Sequence, residues 1–369
     1  MRLLKIVAIQ AAIAIVFIEI GLRIYNPLPF RVHGERIVLP VHRKYSFSHE
    51  ETTKLDPITS HTKNALGFRG PDPPRDFAKR LTLVTIGGST TECLFLSDGK
   101  TWTDELARRL TRSWPDAWVN NAGLDGQSSY GHLILLRDLI VSLRPRVAVF
   151  LIGVNDIGRE DLTTFDQSLA PAWTRWQKAG VFLEDHSEVV SLAHNLLRMA
   201  RTSYRGFGHS EVDLTKLTRL EHEAKLTAIT LAQQEAPVRR YADRLAAIVD
   251  LCRSNGIEPV FTTQPALYGD AIDPVTGVDL SIIQVQGAAN GRLWWRVLET
   301  YNDAMRRVAR DRGVLLVDAA HEMPKDSRLY YDLMHFTNEG AARLGDIVAD
   351  HLEPYLKTHT ELVGRVARN

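Results

Sequence analysis

The chain has 369 residues, of which 44% are hydrophobic and 24% charged, a composition typical of a folded globular protein. Its 45 basic and 44 acidic residues give a formal net charge of +1, so no overall positive field would attract nucleic acid and no nucleic-acid partner is expected. Two cysteines are too few for a disulfide scaffold or a cysteine-rich zinc site. The length fits one large α/β domain with added segments.

The amino-terminal segment is apolar. Residues 3–22 read LLKIVAIQAAIAIVFIEIGL, interrupted by Lys5, Gln10 and Glu19, and a helix needs about 20 such residues to cross a bilayer. Because no small-x-small cleavage site follows, a transmembrane anchor over residues 1–24 is favoured over a signal peptide or a buried amphipathic helix. Basic residues lie on both sides of the segment, and their count slightly opposes an extracytoplasmic main domain.

The rest of the chain divides by its hydrophobic patterning. Residues 25–80 are rich in Pro, Arg, His and Thr without a sustained period, which predicts a connector packed on the main domain. The main domain is predicted over 81–357, with a helical insertion or lid over 157–236 and a tail over 358–369. Its apolar runs predict five strands, near 81–86, 117–121, 147–152, 258–263 and 314–317.

Strands that alternate with helices predict a mostly parallel five-stranded sheet in a three-layer α/β/α sandwich. Ligands of such sheets bind outside the carboxyl ends of the strands. Three short motifs follow predicted strands and a fourth precedes the last helix: Gly87-Gly88-Ser89-Thr90, Asn121-Ala122-Gly123-Leu124-Asp125-Gly126, Gly153-Val154-Asn155-Asp156 and Asp332-Leu333-Met334-His335. Taken alone, each has an ordinary interpretation as a helix cap, a turn or an exposed polar segment.

Three of the motifs also contain side chains with catalytic uses. A serine that opens a helix lies in a field that favours nearby negative charge, and the amide of Asn155 is a donor for an oxyanion. Asp332 precedes His335 by three residues, a spacing that lets a carboxylate fix the tautomer of an imidazole whose other nitrogen faces a nucleophile.

The constellation resembles the SGNH hydrolases, also called GDSL esterases and lipases, over roughly residues 81–350. The resemblance implies the flavodoxin-like fold of that family, with Ser89 as nucleophile, His335 as general base and Asp332 as its orienting partner. It also implies an oxyanion hole formed by Ser89, Gly126 and Asn155, and no metal or organic cofactor. The first motif departs from the family, because Gly88 stands where many members have an acidic residue; its Gly-Gly-Ser-Thr form looks like the membrane-anchored bacterial branch.

The resemblance implies a serine esterase that removes acyl groups, acetyl above all, from a polysaccharide or another cell-envelope glycan, or from a small ester. We expect a single-pass protein of the cytoplasmic membrane with a periplasmic catalytic domain. Three alternatives stay open: an O-acyltransferase with the same triad, a lipase or thioesterase, and an inactive anchored scaffold or glycan-binding subunit. The sequence does not predict the oligomeric state.

Other chemically capable residues have simpler interpretations. Cys93 follows Ser89 by one helical turn and is expected to be a small buried residue. His186 and His194 lack the carboxylate pattern of a metal site and are expected on the surface or in packing contacts. Trp294 and Trp295 are expected in the core, with a sugar platform as the alternative.

Overall fold

The computed structural model describes residues 2–25, 32–33, 36–49, 52–158, 175–204, 209–221 and 223–363. The chain divides into two compact units: a smaller one of Met1–Pro40 and Thr163–His209, and a larger one of Val41–Leu162 and Ser210–Asn369. The described helices are α1 Arg2–Ile24, α2 Ser89–Glu92, α3 Trp102–Ser113, α4 Ser129–Leu135, α5 Val141–Leu143, α6 Arg175–His186, α7 Glu188–Tyr204, α8 Ala224–Gln233, α9 Glu235–Ser254, α10 Gly291–Arg312, α11 Ala319–Glu322 and α12 Asn338–Thr358. The described strands are β1 Val32–His33, β2 Arg36–Ile37, β3 Arg43–Ser48, β4 Ile58–Lys63, β5 Thr82–Gly87, β6 Trp118–Asn121, β7 Val147–Leu151, β8 Glu258–Thr262, β9 Gln284–Gln286, β10 Ala289–Asn290 and β11 Leu315–Val317.

The larger unit is built on a parallel five-stranded sheet in the order β6-β5-β7-β8-β11. Every residue of β5, β6 and β7 is buried, as expected for strands covered by helices on both faces. Helix α3 packs against α12, and α9 packs against α4 and α10. The predicted α/β/α fold is confirmed, and its strand order is the flavodoxin-like one.

The strand register brings the carboxyl ends of the central strands into one row. Gly87 of β5 pairs with Leu151 of β7, which pairs with Thr262 of β8. The loops that follow these strands therefore open at the same edge of the sheet, where a ligand site is expected.

The segment predicted as a connector contains a pair of strands. Strands β3 and β4 pair antiparallel from Arg43 opposite Lys63 to Ser48 opposite Ile58. Alternate residues of β4 are buried, but the buried ones are Thr59, His61 and Lys63 rather than apolar residues. These strands leave no hydrophobic period in the sequence, because a period-two pattern that faces inward with polar side chains has no hydrophobic signal.

The predicted insertion over 157–236 does not form one body. Helices α6 and α7 belong to the smaller unit, whereas α8 and the start of α9 belong to the larger one. Within that range, residues 159–174, 205–208 and 222 lie outside the described part of the chain. The last residues of the predicted tail, 364–369, also lie outside it.

Helix α1 carries the apolar amino-terminal sequence. Its segment Lys5–Ile24 is long and apolar enough to cross a membrane, and it is not buried inside the protein. Large apolar side chains along it, among them Ile9, Ile13 and Phe17, are exposed. Its length and composition fit a membrane span or a signal sequence.

Candidate active site

Two glycines form the sharp turn between β5 and the short helix that begins at Ser89. A Cβ at Gly87 would overlap Thr91 Oγ1 and the carbonyl oxygen of Leu151, so the backbone passes where no larger residue fits. Ser89 is the first residue of α2 and is 7% exposed. The turn thus places a nearly buried hydroxyl at the carboxyl edge of the sheet.

The structure brings Ser89, His335 and Asp332 into one hydrogen-bonded chain. The hydroxyl of Ser89 lies 2.7 Å from Nε2 of His335, and Nδ1 of His335 lies 2.6 Å from Oδ2 of Asp332. With the proton of His335 on Nδ1, the ring donates to the carboxylate and accepts from the serine. This is the geometry of a nucleophile, a base and an orienting acid, supplied by β5–α2 and the loop before α12.

The Asp332 carboxylate is fixed by its own loop. Its Oδ1 accepts hydrogen bonds from the backbone N–H groups of Met334 at 2.8 Å and His335 at 2.7 Å. Burial by itself would raise the pKa of Asp332, but the charge of His335 and these hydrogen bonds outweigh burial and hold the pKa below its usual range. The aspartate is therefore ionised when it faces the imidazole. The ring of Tyr331 stacks on that of His335, with centroids 5.6 Å apart, and limits its rotation.

Asn155 and Gly126 occupy two loops beside the serine turn. Asn155 lies in the 3-10 turn Val154–Asp156 after β7, and its Nδ2 donates to the carbonyl oxygen of Gln127 at 3.1 Å. Gly126, which precedes that carbonyl, has a φ of +71° that favours glycine. A Cβ at Gly88 would overlap Nδ2 of Asn155, so the serine turn and the amide are in close approach. The residues predicted from four separate motifs thus meet at one edge of the sheet.

Comparison with known proteins identifies the family. A model of the GDSL-like lipase/acylhydrolase family matches residues 85–343, which is more than half of the chain. The chain belongs to this family. All four motifs lie within the matched residues, and the protein is a carboxylic ester hydrolase.

The solved structures to which the chain is similar are distant in sequence. The acetyl xylan esterase AlAXEase has 14% identity and a TM-score of 0.42, with 73% of this chain and 98% of that one covered. An α/β hydrolase from the metagenome of Lake Arreo, Spain, has 16% identity and a TM-score of 0.41, with coverages of 76% and 95%. An acetylxylan esterase from Geobacillus stearothermophilus has 14% identity and a TM-score of 0.42, with coverages of 74% and 94%. No curated protein matches the chain.

A buried ionic cluster supports the Asn155 loop of this acylhydrolase. Asp156 is fully buried, pairs with Arg244 at 2.9 Å and accepts from the hydroxyl of Ser129 at 2.5 Å. The Arg244 guanidinium also lies 3.8 Å from the ring centre of Tyr130. Arg244 could not be singled out from the sequence, because it lies in a helix 88 residues away and no local feature identifies it as the partner of Asp156.

A second buried ion pair supports the Gly126 loop. Glu92, the last residue of α2, accepts from Lys63 Nζ at 2.9 Å and from the backbone N–H of Asp125 at 2.6 Å. Glu92 and Lys63 are both buried. Arg69 donates from Nη1 to the carbonyl oxygens of Glu92 and Cys93, and so caps the end of the serine helix. The predicted connector supplies Lys63 and Arg69, and no sequence signal marks either charge as one that will be buried.

The remaining candidates lie outside the triad. Cys93 is buried, and burial raises the pKa of its thiol to about 12, which leaves it protonated and unsuited to act as a nucleophile. His194 bonds through Nδ1 to Glu184 Oε2 at 2.8 Å. Trp294 and Trp295 are partly buried against the core, and the Trp295 ring lies under Lys325 Nζ at 3.3 Å from its centre.

Proposed function

We propose that the protein cleaves acyl esters through a covalent intermediate on Ser89. The hydrogen-bonded chain from Ser89 through His335 to Asp332 carries this proposal. His335 Nε2 takes the hydroxyl proton while Ser89 Oγ attacks the ester carbonyl carbon. The imidazolium then gives that proton to the departing alcohol, which leaves an acyl ester on Ser89. A water molecule, deprotonated by His335, releases the carboxylic acid and restores the serine.

The negative oxygen of each tetrahedral intermediate needs hydrogen-bond donors that stabilise its charge. We assign this role to the backbone N–H groups of Ser89 and Gly126 and to the Nδ2 amide of Asn155. Asn155 uses one N–H on the carbonyl oxygen of Gln127, and a primary amide has a second N–H to offer. Fixed donors of this kind stabilise a transition state by about 2.7–4 kcal/mol each.

For the substrate we propose a short acyl group, acetyl above all, on a polysaccharide or another cell-envelope glycan. A long acyl chain needs apolar surface beside the nucleophile. Among the described residues of the four motifs, no large apolar side chain is exposed; Val154, Leu333 and Met334 are half-buried. We also propose that α1 anchors the protein in the cytoplasmic membrane, with the catalytic unit outside the cytoplasm, where envelope glycans are found.

Kinetics of the full-length protein in detergent test this assignment. Wild type is expected to hydrolyse p-nitrophenyl acetate faster than the octanoate, whereas Ser89→Ala and His335→Ala lose turnover. Activity that survives in Ser89→Ala would refute the nucleophile. A preference for octanoate would refute the short acyl group.

Two further assays test which molecule accepts the acyl group and on which side of the membrane the catalytic unit lies. Acetate release from an acetylated glycan supports hydrolysis, whereas transfer of the acetyl group to a second glycan without release would replace the esterase by an acyltransferase. A carboxyl-terminal fusion that is active only with a cytoplasmic reporter would overturn the proposed orientation.

A further inference from the structure

The smaller unit contains a helical hairpin that is joined to α1 by one charged pair. Helices α6 and α7 are separated by Ser187 alone. Glu19 of α1 accepts from the Ser187 hydroxyl at 2.9 Å and from the backbone N–H groups of Glu188 and Val189 at 3.0 and 3.1 Å. It therefore caps the amino terminus of α7, where the helix dipole favours a carboxylate.

Arg23, one turn further along α1, completes the junction. It pairs with Glu19 at 2.8 Å and donates from Nη2 to the carbonyl oxygen of His186, the last residue of α6, at 2.6 Å. The Glu19–Arg23 ion pair near the carboxyl end of α1 thus supplies hydrogen-bond partners to backbone groups at the end of α6 and at the start of α7. The hairpin is therefore hydrogen-bonded to α1 at the point where the apolar segment of α1 ends.

Among the hairpin side chains that the structure describes, the burial pattern is the reverse of that in a water-soluble helix pair. Polar side chains are buried: Glu184 is 1% exposed, and Ser191 and Asn195 are each 5% exposed. Large apolar side chains face outward, with Phe182 60% exposed and Leu197 56% exposed. A surface helix in water buries its apolar face, whereas helices in lipid turn polar groups inward and pair them.

The helices are too short to span a bilayer. With a rise of about 1.5 Å per residue, the 12 residues of α6 cover about 18 Å and the 17 residues of α7 about 26 Å. The hydrocarbon core is about 30 Å thick. Segments of this kind, with one apolar face, lie in the plane of the membrane interface.

We infer that α6 and α7 form a second membrane contact: the hairpin lies in the lipid interface at the carboxyl end of α1, with Phe182, Leu183, Leu196 and Leu197 facing the acyl chains. This inference rests on the proposed anchoring of α1. The occupant of the apolar surface is lipid because α7 packs on α1, whose segment Lys5–Ile24 is not buried inside the protein and exposes Ile9, Ile13 and Phe17.

Site-specific fluorescence on the full-length protein in nanodiscs tests the inference. Four single variants carry an environment-sensitive label: Phe182→Cys and Leu197→Cys on the hairpin, Ile13→Cys on α1, and Ile229→Cys on α8 as a control. All four side chains are exposed and apolar. The native Cys93 and Cys252 are buried, with pKa values raised to about 12 by burial, so labelling goes to the introduced thiol.

Nitroxide lipids labelled near the headgroup are expected to quench the probes at 182 and 197 several-fold more strongly than the probe at 229. Lipids labelled deep in the acyl chain are expected to quench the probe at 13. If the probe at 13 is quenched and those at 182 and 197 are not, the hairpin inference is refuted and the anchor stands. If none is quenched, both are refuted. An unchanged unfolding midpoint shows that each variant is folded.

Discussion

A single methyl group added at Gly88 should have a large effect on catalysis. Its φ of −84° lies outside the left-handed region, so alanine introduces no left-handed strain there. The added Cβ would, however, overlap Nδ2 of Asn155 and lie 3.3 Å from the carbonyl oxygen of Gln127. Because Gln127 is held by its loop, the Asn155 amide must move, and with it the proposed oxyanion donor.

The size of the effect follows from the loss of that donor. We expect Gly88→Ala to lower kcat on p-nitrophenyl acetate about 10²–10³-fold, or about 2.7–4 kcal/mol of transition-state stabilisation, with little change in KM. Gly180→Ala is a matched control, because a Cβ there meets nothing within 4 Å. Its kcat should equal that of wild type.

A double-mutant cycle identifies the cause. In Asn155→Ala the added methyl at position 88 has room, so the double variant should be no slower than Asn155→Ala alone. Losses that multiply would show that the two residues act independently. Full activity in Gly88→Ala beside an inactive Asn155→Ala would refute the reasoning altogether.

Three further predictions concern buried charge. Asp332→Asn should lower kcat about 10⁴-fold through the wrong imidazole tautomer, and a loss below about tenfold in steady-state kinetics would contradict it. Lys63→Met should lower the free energy of unfolding by about 3–5 kcal/mol, because Glu92 stays buried without its cation. Adding Glu92→Gln should restore most of the lost stability. Equal denaturation curves for Lys63→Met and wild type would refute this prediction. Burial lowers the pKa of His61 to about 4, so between pH 6.5 and 4 the unfolded chain binds a proton that the folded chain does not. The free energy of unfolding should therefore fall by at most about 3 kcal/mol as the pH decreases over this range. The variant His61→Phe should lack this fall, and a fall of equal size in the variant would count against the prediction.

The fold and the contacts among Ser89, His335 and Asp332 could be predicted because their signals are local. Each central strand is a continuous apolar run, and each site residue lies in a short motif at a strand end or before a helix. Asp332 and His335 are three residues apart, so their contact depends on one loop. The partner of Ser89 lies 246 residues away, but the shared edge of a parallel sheet brings the two motifs together.

The supporting residues could not be predicted for the opposite reason. Lys63, Arg69 and Glu92 carry charge in segments without hydrophobic periodicity, and a single sequence does not tell which charge will be buried. The same holds for Glu19, which interrupts an apolar helix. In the structure it caps the amino terminus of α7 rather than facing solvent, and that contact depends on a segment 168 residues further along the chain.

The most direct test of the covalent mechanism is to trap its intermediate. Full-length protein is mixed with p-nitrophenyl acetate, quenched in acid within one turnover and digested for mass spectrometry. We expect one acetyl group on the peptide of the wild type that contains Ser89, less of it in His335→Ala because acylation needs the same base, and none in Ser89→Ala. Turnover by wild type with no acetyl on Ser89, or with acetyl on another residue, would contradict this mechanism.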